Sequence, residues 1–328
     1  MTKQGELRAV DYDEAAASAL LPAATRLGAA HLTVTDLARS VPFYEDVVGL
    51  TEQWRGVTAA EEPAVALGSE GSEPVIVLVE NRSANLPRRT SGLYHVALRY
   101  PRIELAHLVR RLSETRTPVQ GASDHGTHEA IYLPDPDGNG LELEADRPRE
   151  AWPTSMLEEF SRGGPAPLDV DALVAISASE ATRARSAGVD MGHLHLHVGS
   201  VGDAEAFYRD VVGFSLIAAM PTAIFMSAGG YHHHLGANTW NGVGAPPAPL
   251  GSVGLRRWSV VVPGDDDLAA LQERIDRSSG AASLTDEDGA IILRDTSGNA
   301  VSIETEAQRA AAPVELQRPV PGGASTVS

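Results

Sequence analysis

Apolar and polar positions follow a rhythm that recurs down the chain. The strand-like run His31-Leu32-Thr33-Val34 is followed by Leu37, Val41, Tyr44 and Val48 at helical spacing. Asp36 is placed to cap that helix and Gly49 to stop it. Short apolar runs ending at residues 75–80 then read as strands. The same order returns from residue 92: a strand, a helix over 103–113, then strands near 118, 130–133 and 140–144. Asp135–Asn139 is a turn by composition.

Two stretches repeat almost residue for residue. Phe43-Tyr44-Glu45-Asp46-Val47-Val48-Gly49-Leu50 returns as Phe207-Tyr208-Arg209-Asp210-Val211-Val212-Gly213-Phe214. Asp135-Pro136-Asp137-Gly138-Asn139 returns as Asp295-Thr296-Ser297-Gly298-Asn299. The chain is therefore a duplicated unit, each half holding two modules. Modules 1 and 2 occupy residues 27–146, and modules 3 and 4 residues 191–306. Residues 1–26 read as an acidic, alanine-rich lead without a partner, 147–190 as a linker with some helix, and 307–328 as a disordered tail. Four strand–helix–three-strand units predict an α+β protein on curved mixed sheets.

Composition narrows the function. No run of about 18 apolar residues predicts a membrane span, and no secretory signal is visible, which fits a cytoplasmic protein. With 0 cysteines, disulfides, thiolate metal sites and cysteine nucleophiles are excluded. A formal net charge of −18 disfavours nucleic acid and anionic membranes as partners. No phosphate-binding glycine loop or Gly-x-Ser-x-Gly elbow occurs. The sequence leaves the oligomeric state open, a homo-oligomer included.

Histidines and carboxylates cluster in a few stretches. These are Gly92-Leu93-Tyr94-His95-Val96-Ala97-Leu98, Ser123-Asp124-His125-Gly126, Tyr132 to Glu142, Gly192-His193-Leu194-His195-Leu196-His197-Val198, and Tyr231-His232-His233-His234 to Trp240. They resemble the vicinal-oxygen-chelate superfamily and, within it, the bacterial catechol 2,3-dioxygenases, over residues 27–146 and 191–306. The resemblance implies half-barrel domains of the glyoxalase and extradiol dioxygenase type. In that superfamily, metal ligands come from the first and last strands of modules that pair to form a cup. The corresponding first-strand positions are Ala29, His95, His193 and Arg257; the last-strand positions are Glu142 in module 2 and Ser302 in module 4. Modules 1 and 4 are thus blank, while modules 2 and 3 are armed and must face each other. The implied ligands are His95, His193 and Glu142, with Glu144 on the same sheet face as the alternative carboxylate. Two imidazoles and a carboxylate form the facial set of non-haem Fe(II) oxygenases, and Mn(II) accepts the same set.

The resemblance further implies His233 as the acid–base group, with strand alternation sending His232 and His234 to the opposite face. Tyr132 would hydrogen-bond a bound substrate oxygen, with His125 assisting. His195, Asn238 and Trp240 would shape the substrate pocket; His31 and His128 read as structural or exposed. The expected activity is Fe(II)-dependent extradiol cleavage of a small aromatic diol by O2. Glyoxalase-type chemistry needs a carboxylate from each module of the pair, and residues 211–264 contain no Asp or Glu. The alternatives are another metal-dependent activity of the superfamily, such as an isomerase or thiol transferase, and a metal-free small-aromatic binding protein.

Overall fold

The computed structural model describes residues 7–161, 163–181, 183–278, 283–285 and 290–311. The described residues form two sheets, each taking one module from either half of the sequence. In the inner sheet, the first strands of modules 2 and 3, Gly92–Arg99 and Asp190–His197, pair antiparallel, with His95 opposite His195. In the outer sheet, the first strands of modules 1 and 4, Arg26–Val34 and Gly254–Val262, pair the same way, with His31 opposite Arg257. The expected α+β fold and its repeat are both present.

Contacts within each half run through the repeated motifs instead. Tyr44 Oη donates to Asp135 at 3.2 Å, and Tyr208 Oη to Asp295 at 3.1 Å, so each half's first helix is tied to its last turn. Asp135 Oδ1 also accepts the Asp137 and Asn139 amides at 2.8 Å, so the turn closes on its own aspartate. The two halves are interlocked: sheets join across them, and helix–turn hydrogen bonds join within them.

Local chemistry explains the helices. Asp36 caps Leu37–Phe43 by accepting the Ala38 amide at 2.8 Å. The helix then widens into a π turn, Tyr44–Val48, that ends at Gly49 with φ of 91°. Module 3 repeats this with Ser200, the π turn Phe207–Val212 and Gly213. Helix Arg102–Thr115 buries Leu105, Leu108 and Leu112 in the core, each worth about 1.5–3 kcal/mol.

Three connecting segments depart from expectation. The lead has partners: Arg8–Ala9 pairs with Ser215–Met220, and helix Tyr12–Ser18 buries Tyr12 and Ala15. The 147–190 segment does more than link: Ala166–Pro167 extends the inner sheet beside Gly121–Asp124, and helix Val170–Ile176 buries Leu173. The start of the tail is ordered, since helix Glu306–Ala311 brings Arg309 to Glu304 at 3.0 Å and Glu73 at 2.6 Å. Residues 312–328 of the expected disordered tail lie outside the described residues.

Candidate active site

The site follows from the inner sheet's register. The strand Gly140–Asp146 runs parallel to Gly92–Arg99 and sets Glu142 beside Ala97. His95, His193 and Glu142 thereby converge, all buried. Glu142 Oε2 lies 3.0 Å from His95 Nε2 and 3.1 Å from His193 Nε2, and the two imidazole nitrogens are 3.3 Å apart. Bonds of about 2.1 Å meeting at right angles would separate donors by about 3.0 Å, so this face fits three adjacent corners of an octahedron. Two neutral-capable imidazoles and a carboxylate suit a divalent first-row metal.

Charge in the centre is strongly redistributed. Burial disfavours the Glu142 carboxylate, but His193, His95 and His128 outweigh it and hold its pKa well below the usual value. Burial also opposes a charged His193, yet Glu144 and Glu142 push its pKa up to about 10. His95 falls below its ordinary value because burial exceeds the pull of Glu142. Without a cation, the centre therefore holds a proton on His193 at neutral pH.

Glu144 sits behind the cluster. Its Oε1 is 3.3 Å from His193 Nδ1, an ion-pair distance off hydrogen-bond alignment, while Glu142 alone faces both Nε2 atoms. Glu144 can therefore orient His193 from the far side of its ring. Gly192 makes this possible: a Cβ there would lie 1.9 Å from Glu144 Oε1.

Tyr132 and His125 join the same centre. Tyr132 Oη donates to Glu142 Oε1 at 2.8 Å and meets His125 Nε2 at 2.9 Å. His125 Nδ1 reaches Glu159 at 3.1 Å, so the 147–190 segment supplies an outer support. His128, expected to be structural or exposed, is buried in this cluster. Its ring stacks between His125 at 4.4 Å and His232 at 4.5 Å, and its Nε2 is 3.2 Å from Glu142.

The three consecutive histidines precede the strand Leu235–Asn238, so strand alternation does not govern them. His232 and His233 both point to the centre, contrary to expectation, whereas His234 turns away and accepts the Ala228 amide. His233 lies over His193 with ring centres 4.0 Å apart. Burial and the neighbouring His193 hold its pKa well below the ordinary value, so it is neutral. Its tautomer follows from a chain of contacts. Asp146, whose pKa falls to about 2 as its hydrogen bond to His232 overrides burial, is an ionised acceptor. His232 Nε2, 3.2 Å away, must then donate to it. Burial lowers the His232 pKa to about 4, so its Nδ1 is bare and accepts from His233 Nδ1 at 2.9 Å. The second ring nitrogen of His233 is left without a proton, the form of a general base.

One side of the centre is lined by rings. His195 is 5.0 Å from His95, Tyr94 is 5.0 Å from His195, and Trp240 is 5.2 Å from Tyr94, all between ring centres. Tyr94 and Trp240 are exposed, so the outer end of this ring cluster meets solvent. Asn238 is buried; its Oδ1 accepts the Trp240 amide at 3.0 Å and meets His197 Nδ1 at 2.8 Å.

The ten residues singled out from sequence, Glu144 included, thus lie in one region. From sequence, His232 is sent to the opposite face, and no site role is assigned to His128, Tyr94, Glu159 and Asp146. The last of these ends the strand that carries Glu142 and Glu144, at two-residue spacing, which was the available signal.

The matched family model is the Glyoxalase/Bleomycin resistance protein/Dioxygenase superfamily, over residues 26–143 and 190–303. The chain belongs to this superfamily. It is 39% identical over 256 residues to a catechol-2,3-dioxygenase of Bacillus subtilis, covering 76% of this chain and 87% of that protein. Within the superfamily it is a catechol-2,3-dioxygenase-like enzyme. Solved structures share the fold. A putative dioxygenase from Bacillus subtilis has a TM-score of 0.59 at 17% identity, covering 85% of this chain and 84% of that one. Glyoxalase I from Zea mays has a TM-score of 0.55 at 15% identity, covering 87% and 94%. Among the described residues, no helix is long and apolar enough to cross a membrane.

Proposed function

We propose that the enzyme is an extradiol dioxygenase: it opens a small catechol with O2, using a divalent metal held by His95, His193 and Glu142. The observation that carries this reading is the 3.0–3.3 Å triangle of their donor atoms. Other clusters have their nitrogens committed elsewhere: His232 Nε2 to Asp146, and His125 to Glu159 and Tyr132. A divalent metal held there, Fe(II) in this reading with Mn(II) compatible, would supply Lewis-acid and redox chemistry toward a catecholate and O2.

The remaining work falls to the protein. His233 takes a catechol hydroxyl proton on its bare ring nitrogen and later returns it. Asp146 and His232 keep that nitrogen bare. Tyr132 donates its one hydroxyl proton to Glu142 Oε1 and His125 Nε2 meets the same hydroxyl, so Tyr132 positions the carboxylate and leaves its oxygen as an acceptor beside the site. Tyr94, Trp240 and His195 present ring faces and edges to an aromatic substrate.

The test is direct. Protein purified without oxygen and loaded with Fe(II) should turn catechol yellow in air with stoichiometric oxygen uptake. A catechol panel left colourless by metal-loaded protein would reject the proposal.

A further inference from the structure

Three imidazoles of the inner cup stand as one stack. His128 lies between His125, with ring centres 4.4 Å apart and planes 10° off parallel, and His232, at 4.5 Å and 18°. Each ring of the stack meets a different working group. His125 Nε2 meets the Tyr132 hydroxyl at 2.9 Å, His128 Nε2 is 3.2 Å from Glu142 Oε1, and His232 Nδ1 is 2.9 Å from His233 Nδ1. A tilt at either end would therefore disturb contacts to the hydroxyl, the carboxylate and the base.

Both ends of the stack are held by one segment outside the four modules. Glu159, on the short helix Met156–Ser161, meets His125 Nδ1 at 3.1 Å. Trp152 packs on His232 with ring centres 5.3 Å apart and planes at 61°. Neither holder is loose. The Trp152 indole donates to the Arg147 carbonyl at 2.8 Å, and the Arg147 guanidinium pairs with Asp124 at 2.6 Å and Glu129 at 3.2 Å. Glu159 is buried, and Met156 on the same helix packs in an apolar cluster with Tyr12, Ala15 and Phe225.

The lead braces this segment. Tyr12, 1% exposed, lies 5.6 Å from Trp152 between ring centres, and its amide donates to the Thr154 carbonyl at 3.3 Å. The Arg149 guanidinium covers both rings, 5.0 Å from Tyr12 and 4.7 Å from Trp152.

We propose that Trp152 and Glu159 are positioning residues: they grip the two ends of the imidazole stack, with Tyr12 bracing Trp152, and so fix the His232 ring that prepares His233. Without Trp152 the His232 ring swivels, and its Nε2 leaves Asp146 for part of the time. Because both residues act on one stack, their effects are coupled. The turnover arm of the test rests on the proposed dioxygenase reading; the spectroscopic arm does not.

Trp152→Leu keeps an apolar side chain against Tyr12 but removes the ring, and Glu159→Ala releases the other end. Trp152→Phe and Glu159→Gln are the conservative counterparts. At Fe(II) occupancy equal to wild type, each of the first pair should lower kcat on catechol about tenfold with KM unchanged, and the counterparts should recover to within about threefold of wild type. Trp152→Leu combined with Glu159→Ala should cost about thirtyfold or less, short of the product of the single effects. Nitrogen-15 spectra of the metal-free full chain need no reaction. The two ring nitrogens of His232 should give separate protonated and bare shifts in wild type and Trp152→Phe, and move toward a common average in Trp152→Leu. His31, in the outer cup of modules 1 and 4, should stay in place and report the intact fold. Should Trp152→Leu displace His31, Glu159→Ala decides from the other end, where the His125 resonances must move for the proposal to stand. Unchanged His232 shifts in a folded Trp152→Leu, single effects that multiply in the double variant, or loss of Fe(II) binding in step with kcat would each overturn the proposal. A wild type that turns over no catechol, with His232 averaging in Trp152→Leu, would reject the dioxygenase reading and support the grip on the stack.

Discussion

Replacing Asp146 by asparagine tests whether a tautomer chain prepares the base. The substitution keeps the shape of the side chain but removes the charge that makes it an obligate acceptor. The new carboxamide could satisfy His232 Nε2 by either accepting or donating, so His232 would no longer be forced to leave Nδ1 bare toward His233, now 2.9 Å away. A hydrogen bond to a charged group contributes about 1.5–3 kcal/mol. Losing that bias should lower kcat roughly 10- to 150-fold. The metal donors lie elsewhere, so metal content and KM should stay near wild type. Steady-state oxygen uptake, normalised to bound metal, measures this. A kcat within about twofold of wild type at equal metal occupancy would refute the argument, because no tautomer constraint would then be passing through His232.

Other expectations follow from the same contacts. Metal should displace the proton from His193, whose pKa of about 10 means it is charged at neutral pH; affinity should rise about tenfold per pH unit up to that value, and calorimetry in buffers of different ionisation heat should find about one proton released. In the metal-free protein, the raised His193 pKa contributes stability that is fully present below about 6.5 and is lost as pH climbs toward about 10; thermal midpoints should fall across that window in wild type and stay flatter in His193→Gln. Gly192→Ala must push Glu144 aside, since the new Cβ would lie 1.9 Å from its Oε1; metal affinity should drop about 10- to 100-fold by equilibrium dialysis. Tyr208→Phe removes the hydroxyl that bonds Asp295 at 3.1 Å, far from the inner donors; urea unfolding should show a loss of about 1 kcal/mol with turnover unchanged.

Much of this architecture is legible in the sequence because the repeated motifs carry their own structural reasons. The Phe-Tyr…Asp-Val-Val-Gly stretches encode a helix, its stop and the tyrosine that reaches the last turn. The blank and armed positions also expose the crossed pairing of modules: His95 and His193 belong to different halves, and only a sheet joining those halves brings them together. Alternation fails at His232-His233-His234 because these residues bend before the strand begins, so no two-residue period applies. His128 was passed over because its role depends on ring stacking between segments distant in sequence, His125 on one side and His232 on the other. Glu159 and the lead were missed for a related reason. A two-residue strand and short helices have too little periodicity to announce what they pack against.

Anomalous diffraction at the iron edge, from crystals grown anaerobically with Fe(II), tests the account most directly. It should give one strong peak about 2.1 Å from each of His95 Nε2, His193 Nε2 and Glu142 Oε2. A peak among His193, His232 and His233, one in the outer cup, or none at full Fe(II) loading would contradict it.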